Sequence, residues 1–194
     1  MSDRKHMGPK IGFESDVGDP WAPVKDAKTV VQGTNAVLGG RFISGCFVAP
    51  NTVLVGVDLS DKDLRGSQLF ASDLRGASLP GANLDRVDAH GADLRRIDLR
   101  EAVLDRANLL GVDGREAWFG GASAVGTNLE QADLRGANLD GVCLRDARLK
   151  GAHLEGASLL EADLDNASLL GATYDSNTLF PEGFVPENRG LVLK

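Results

Sequence analysis

The sequence predicts an all-β fold, a four-sided solenoid in which the chain winds into stacked coils, and three observations lead to it. Leucine recurs at every fifth residue over most of the range 54–179. A small apolar residue, usually Ala, stands two positions before most of these leucines, and the residue between the two is polar, often Asp or Asn. A period of five matches neither the 3.6 residues of an α-helix nor the two of a β-strand, so it indicates a repeat.

Each five-residue unit is interpreted as a short extended side followed by a corner. The Ala and Leu positions are two residues apart, so in an extended chain both point into a shared interior and the polar residue between them points out. The other two positions are typical of turns, as in Arg75-Gly76 and Arg135-Gly136. One unit cannot bury its apolar pair alone, whereas stacked coils can, because their backbone groups pair from coil to coil.

The number of sides per coil follows from charged residues that recur along the repeat. Two sets recur at a step of 20: Arg75, Arg95, Arg115 and Arg135, and Asp73, Asp93, Asp113 and Asp133. A step of 15 produces no such column. We therefore expect four units per coil, about six to seven coils in residues 54–179, and the two columns side by side on one face.

Three consecutive repeat centres depart from Leu: Gly114, Phe119 and Ala124. Two interpretations of this irregular stretch, 114–126, are open. In the first, the large Phe ring fills the space that its two small neighbours leave, since protein interiors tolerate few voids. In the second, the chain leaves the solenoid as a loop over 119–126, and Trp118 becomes a candidate binding residue.

Outside the repeat, three segments are predicted. Residues 1–28 are rich in Gly, Pro and charged residues, which indicates a flexible segment. Residues 29–53 are interpreted as an irregular first coil that caps the N-terminal end, with Phe42 and Phe47 as two more repeat centres.

The tail, residues 180–194, is expected to cap the last coil or to join two chains into a homodimer. Apolar residues stand at corner positions near this end, where other corners mostly hold charged residues. The predicted cap or dimer contacts are Leu160, Leu170, Phe180 and Phe184. Left bare, such residues would favour aggregation.

Composition and motifs exclude several classes of function. Residues 54–179 contain 21 acidic and 13 basic residues, a net charge of −8, which disfavours nucleic acid as a direct partner. No phosphate-binding, dinucleotide, metalloprotease or nucleophile-elbow motif occurs, so we expect no catalytic, cofactor or metal site. Cys46 and Cys143 are far apart, and neither a disulfide nor a zinc site is expected.

No apolar stretch is long enough to span a membrane, and the N-terminal segment lacks the apolar region of a signal peptide.

The run ADLRGANLDG, residues 132–141, resembles the A(D/N)LxG signature of the pentapeptide-repeat proteins. The resemblance covers roughly two thirds of the chain and implies a right-handed, quadrilateral β-helix with the Leu and Ala positions inside. The segment TLFPEGFVP, residues 178–186, is similar to C-terminal ends of bacterial members. Since neither a membrane span nor a signal peptide is expected, the sequence favours a cytoplasmic protein of bacterial type.

The leading functional hypothesis is a non-catalytic scaffold that binds an unidentified protein. The resemblance supplies the alternative, because relatives include proteins that mimic duplex DNA, bind DNA gyrase and protect it from quinolone-like inhibitors. The predicted acidic partner surface near the C-terminal end comprises Glu155, Glu161, Asp163, Asp165 and Asp175. A two-fold homodimer joined at this end would bring both copies of these charges together at its interface.

Overall fold

The computed structural model describes residues 40–194 of the chain. The flexible segment predicted for 1–28 and residues 29–39 of the cap predicted for 29–53 lie outside the described residues. The regular elements are strands β1 (Arg41–Ile43), β2 (Cys46–Val48), β3 (Thr173–Tyr174) and β4 (Val192–Leu193), and a 3-10 helix (Pro186–Arg189). Between β2 and β3 the chain is a stack of coils in which each side contributes one bridged residue.

The register of the stack is fixed by parallel bridges between positions 20 apart. They run without a break from Val53↔Asp73 to His153↔Thr173. Because the sides recur at every fifth residue, a register of 20 confirms four sides per coil. The stack is therefore a β-helix with a quadrilateral coil.

Within one unit, 73–77, every backbone N–H has an acceptor. The N–H groups of Leu74 and Gly76 donate to carbonyls of the next coil at 2.8 and 2.9 Å, and that of Asp73 donates to the preceding coil at 2.9 Å. The N–H of Ala77 closes the turn on the Leu74 carbonyl at 3.0 Å. The remaining N–H, of Arg75, donates to Asp73 Oδ1 at 3.2 Å.

This last bond explains why the outward position so often holds Asp or Asn. A side-chain oxygen at that position accepts the N–H two residues later, which is the geometry of an Asx turn. The same bond is made by Asp58, Asp63, Asn83, Asp88, Asp93, Asp98, Asn108, Asp113, Asn128, Asp133, Asn138 and Asp163. The outward residue thus completes the corner that follows it.

The second residue of every corner from Asn51 to Gly171 has a positive φ. Glycine adopts this conformation without strain, whereas a residue with a Cβ is disfavoured there. Twelve of these corners nevertheless carry another residue, from Asn51 through Ala71 to Asn166. The stack therefore imposes a left-handed corner even where the local sequence opposes it.

The irregular centres remain inside the stack. Phe119 is 2% exposed and Ala124 is also buried. A Cβ added at Gly114 would meet Leu134 Cδ2 at 3.0 Å, so this centre has little spare room. One large and two small side chains thus share a coil, which supports the interpretation that Phe119 compensates for its neighbours.

The alternative, a loop leaving the solenoid over 119–126, is wrong. The bridges Trp118↔Asn138 and Ser123↔Cys143 keep the same register through this stretch.

At the N-terminal end of the described chain, β1 and β2 form an antiparallel hairpin. Phe42 and Phe47 are paired across it, with Ser44 and Gly45 at its turn at φ of 51° and 82°. Two residues with positive φ are typical of a type I′ hairpin turn. The prediction that Phe42 and Phe47 are repeat centres is therefore wrong.

At the C-terminal end the register slips by one position. Ser158 pairs with Leu179 where the regular register would pair it with Thr178, and Leu179 is 48% exposed. The prediction that Leu179 is an inward repeat centre is therefore wrong. The cause is the turn after Tyr174, where the Asp175 carboxylate accepts hydrogen bonds from the N–H of Asn177 and the hydroxyl of Thr178.

The corner strain yields a test at two alanines. Ala71 is exposed with φ of 53°, so Ala71→Gly should raise the free energy of unfolding by about 1 kcal/mol, because glycine removes the left-handed penalty. Ala77 is fully buried, so Ala77→Gly should lower it by about 1 kcal/mol or more. Urea unfolding of both variants measures the difference. Destabilisation of similar size at both positions would contradict the assignment of corners and sides.

Candidate protein-interaction surface

The register arranges the outward residues in four columns, and each side is taken together with the corner that follows it. Side A carries Val53, Asp73, Asp93, Asp113, Asp133, His153 and Thr173. Side B carries Asp58, Ser78, Asp98, Trp118, Asn138, Ser158 and Leu179. Side C carries Asp63, Asn83, Val103, Ser123, Cys143 and Asp163, and side D carries Gln68, Asp88, Asn108, Asn128, Arg148 and Ser168.

Side A is a ladder of alternating charges. Arg95 binds Asp93 of its own coil through two hydrogen bonds, and its Nε lies 3.5 Å from an oxygen of Asp113 in the next coil. The same cross-coil approach joins Arg115 to Asp133 at 3.7 Å. The predicted Arg and Asp columns on one face are therefore confirmed.

Arginines lower the pKa of two aspartates of this ladder, Asp73 and Asp113. Hydrogen bonds from Arg115 hold the pKa of Asp113 below its ordinary value, although partial burial acts in the opposite direction. The pKa of Asp73 is lowered in the same way by Arg75. A general acid or base needs a pKa near the working pH, so this ladder is suited to structure rather than to proton transfer.

Side B has the largest net negative charge of the four sides, −5. It carries the carboxylates Asp58, Asp61, Asp98, Glu101, Asp140 and Glu161, with Arg100 as the one basic residue. Among the residues that the structure describes, Asp98 alone of these six carboxylates forms an ion pair, with Arg100 at 2.7 Å. Side A, by comparison, balances seven acidic residues with five arginines.

Trp118 stands in the outward column of side B and is 53% exposed. The guanidinium carbon of Arg100 lies 5.2 Å from the centroid of the indole ring, within the range of a cation–π interaction. Asp98 holds Arg100 through two hydrogen bonds of 2.9 and 2.7 Å. The sequence already singled out Trp118, because it occupies an outward position where other units carry Asp or Asn, but the loop proposed beside it over 119–126 does not form.

The structure divides the five predicted acidic residues among three sides. Glu155 and Asp175 lie one above the other at the corner that follows side A, and Glu161 lies at the corner that follows side B. Asp163 and Asp165 belong to side C, where Asp163 lies 3.4 Å from Arg145. The stack therefore does not bring them together as one surface.

Two of these five acids hold the C-terminal coils together. Glu155 accepts a hydrogen bond from the Thr173 hydroxyl at 2.9 Å and lies 3.5 Å from Lys194 Nζ. Burial opposes its ionisation, but hydrogen bonds from its own backbone N–H and from Thr173 leave its pKa lowered. The Asp175 carboxylate accepts the N–H of Gly156 at 2.9 Å, which lowers the pKa of Asp175.

The tail folds back onto its own chain. Phe180 and Phe184 stack with centroids 4.9 Å apart, and Tyr174 meets Phe180 edge-on at 5.5 Å. The guanidinium of Arg189 donates to the carbonyl of Ala167 at 2.8 Å. Strand β4 then pairs in parallel with β3 and extends the stack.

Leu160 and Leu170 remain 43% and 60% exposed. The tail therefore packs against the last coil without covering these two corner residues. A Cβ added at Gly190 would meet Leu170 Cδ1 at 3.1 Å, so the tail passes close beside Leu170.

The sequence profile of pentapeptide repeats matches the chain in eight copies, over residues 51–86, 82–113, 115–151 and 143–173. The chain belongs to this family. Its repeats account for the whole stack, including the irregular coil that contains Phe119.

Several solved pentapeptide-repeat structures are similar to the chain. HetL of the cyanobacterium Nostoc sp. strain PCC 7120, a protein involved in heterocyst differentiation regulation, is 29% identical over 66% of this chain and 72% of its own, with a TM-score of 0.46. The protein alr5209 of Nostoc PCC 7120 is 37% identical over 55% and 84%, with a TM-score of 0.31. Full-length QnrB1, a plasmid-mediated fluoroquinolone resistance protein, is 18% identical over 75% and 92%, with a TM-score of 0.30. No curated protein matches the chain.

In the described part of the chain, no helix has the length and apolar character needed to cross a membrane.

The Asp–Arg ladder makes stability dependent on pH. A carboxyl whose pKa is lowered by folding stabilises the fold above its unfolded pKa, about 3.9, and this contribution is lost as the pH falls through the folded value. The free energy of unfolding should therefore decrease as the pH is lowered below about 4. Asp113→Asn should flatten this decline, because it removes a carboxyl with a lowered pKa.

Urea midpoints between pH 7 and pH 2 measure the effect. Arg115→Gln should flatten the decline as well, since Arg115 is the main cause of the lowered pKa. An unchanged pH dependence in both variants would show that the ladder does not contribute to stability.

Proposed function

We propose that the protein is a non-catalytic scaffold whose outer sides bind another protein. The observation that carries this proposal is the division between a filled interior and outward side chains held in fixed columns. The interior cavity found among the leucines near Ala89 has a volume of about 10 Å³, roughly the space for one water. The polar chemistry of the stack therefore lies on its outer sides, where a partner can reach it.

The use of the ladder carboxylates supports the non-catalytic part of the proposal. Asp73, Asp98 and Asp113 all have lowered pKa values, each chiefly because of a hydrogen-bonded arginine. These residues are the repeat's regular corner acceptors, so their charge is already used to build the stack.

The geometry of the scaffold is part of the proposal. We infer a right-handed rod of about six to seven coils, about 31 Å tall at the spacing of paired strands. The tail is folded onto its own chain, which supports a monomer over a homodimer joined at this end. The two thiols, Cys46 and Cys143, are both free, as is usual in a reducing compartment, which supports a cytoplasmic location as part of the proposal.

A second candidate is a DNA-mimicking binder of DNA gyrase, and the unpaired carboxylates of side B favour it. Charge density argues for the scaffold instead. Duplex DNA carries one negative charge per ~1.7 Å, or about 18 over the height of the rod. Side B has a net charge of −5, six carboxylates against Arg100, and side A is largely neutralised.

Photo-crosslinking tests the scaffold function. A photoreactive amino acid is placed at one outward position per side, Val53, Ser78, Ser123 or Asn128, and the full-length protein is irradiated in cells of its own host. We expect a discrete protein adduct from one side or two adjacent sides. No adduct from any of the four positions would refute the scaffold.

A supercoiling assay with purified DNA gyrase separates the two candidates. The scaffold predicts no inhibition by the protein. Inhibition that weakens as salt is added would favour the DNA mimic, because salt screens the attraction between exposed charges.

A further inference from the structure

Trp118 occupies a position where the repeat normally needs a side-chain acceptor. Outward Asp and Asn residues accept the N–H two residues later, and indole has no acceptor to offer. Among the residues that the structure describes, the N–H of Gly120 donates to no protein acceptor. At this corner, a hydrogen bond that stabilises many other corners is missing, and an exposed aromatic ring stands beside an N–H without a protein acceptor among the described residues.

The ring is pre-organised for contact. Arg100 lies 5.2 Å from the ring centroid, and Asp98 fixes Arg100 through two hydrogen bonds. After Trp118 and the buried Phe119 comes a corner of two glycines, Gly120 and Gly121, and the indole is 53% exposed. Tryptophan and arginine are the residues most enriched at energetic hot spots of protein interfaces, and a side chain already held in place loses little entropy on binding.

The surroundings of the ring are negatively charged. Asp140 lies at the corner one coil after Gly120, Glu101 follows Arg100 at the corner one coil before, and Glu161 lies two coils after Gly121. Within the described residues none of these three carboxylates forms an ion pair. The arginines of side A show that this fold can neutralise its own carboxylates, so the charge of side B is available to a partner.

We propose that side B, centred on Trp118 and Arg100, is the docking surface of the scaffold, and that its occupant is a protein segment rich in Lys and Arg. This inference rests on the proposed function and specifies its partner. The cationic side chains bind Glu101, Asp140 and Glu161 and cover the indole through cation–π contacts. A backbone carbonyl of the segment accepts the N–H of Gly120.

A defined peptide tests this chemistry. The probe is a fluorescein-labelled dodecapeptide of alternating Arg and Thr, and its binding to the full-length protein is followed by fluorescence anisotropy. A peptide of alternating Glu and Thr is the matched probe of opposite charge. We expect saturable binding of the Arg peptide and none of the Glu peptide; failure of the Arg peptide to bind would overturn the proposal.

Two charge variants locate the binding. The triple variant Glu101→Gln, Asp140→Asn, Glu161→Gln should weaken binding by about tenfold or more. The control is Asp105→Asn, Asp146→Asn, Asp165→Asn on side C, which removes the same charge and should change binding less than about twofold. The two triple variants also remove similar hydrogen bonds. Asp105 accepts the N–H of Val125, and Asp140 accepts the N–H of Leu160. Equal weakening by both variants would show that the peptide is attracted by the overall charge of the protein and not by side B, which would overturn the proposal.

The role of the ring is tested separately. Trp118→Ala should weaken binding of the Arg peptide by about tenfold, and Trp118→Phe should restore part of the affinity. Unchanged affinity in Trp118→Ala would overturn a docking surface centred on this ring. The photo-crosslinking result keeps the two proposals distinguishable: adducts from Val53, Ser123 or Asn128 without any from Ser78 would overturn the choice of side B and leave the scaffold function standing.

Discussion

The structure depends on the pairing of backbone groups between positions 20 apart. Each side donates one N–H to the coil before it and one to the coil after it, and a corner N–H adds a further bond. This pairing fixes which residues face inward, which face outward and where the chain must turn. Leucine and alanine then fill the interior, but the backbone ladder sets the places that they fill.

The same constraint explains what the sequence could predict. A strict period of five and charge columns at a step of 20 are direct consequences of the ladder, so the four sides and the Asp–Arg face were visible in the sequence. Departures from the ladder were not visible. Leu179 looks like another repeat centre, yet the hydrogen bonds of Asp175 build a turn that moves Leu179 outward by one register position.

Two further features needed the structure. Phe42 and Phe47 are five positions apart, as repeat centres would be, but a turn at Ser44-Gly45 pairs them across a hairpin instead. The five C-terminal acids are close in sequence, and the four-sided coil distributes them over three sides. Sequence proximity therefore predicts a shared surface poorly in this fold, whereas a separation of one full coil predicts it well.

Function is expected to follow from how the sides differ, because the repeat makes their backbones alike. Side A neutralises its carboxylates with arginine, and side B leaves most of its own unpaired around an exposed indole. Disulfide trapping in a Cys46→Ser, Cys143→Ser background tests the four-sided register most directly. Asn108 and Asn128 touch through an amide hydrogen bond of 3.1 Å, so the pair Asn108→Cys, Asn128→Cys should oxidise to an intramolecular disulfide that peptide mass spectrometry detects. The pair Asn108→Cys, Ser123→Cys, which a three-sided coil would stack instead, should stay reduced; a disulfide in this second pair and none in the first would contradict the four-sided register on which the columns depend.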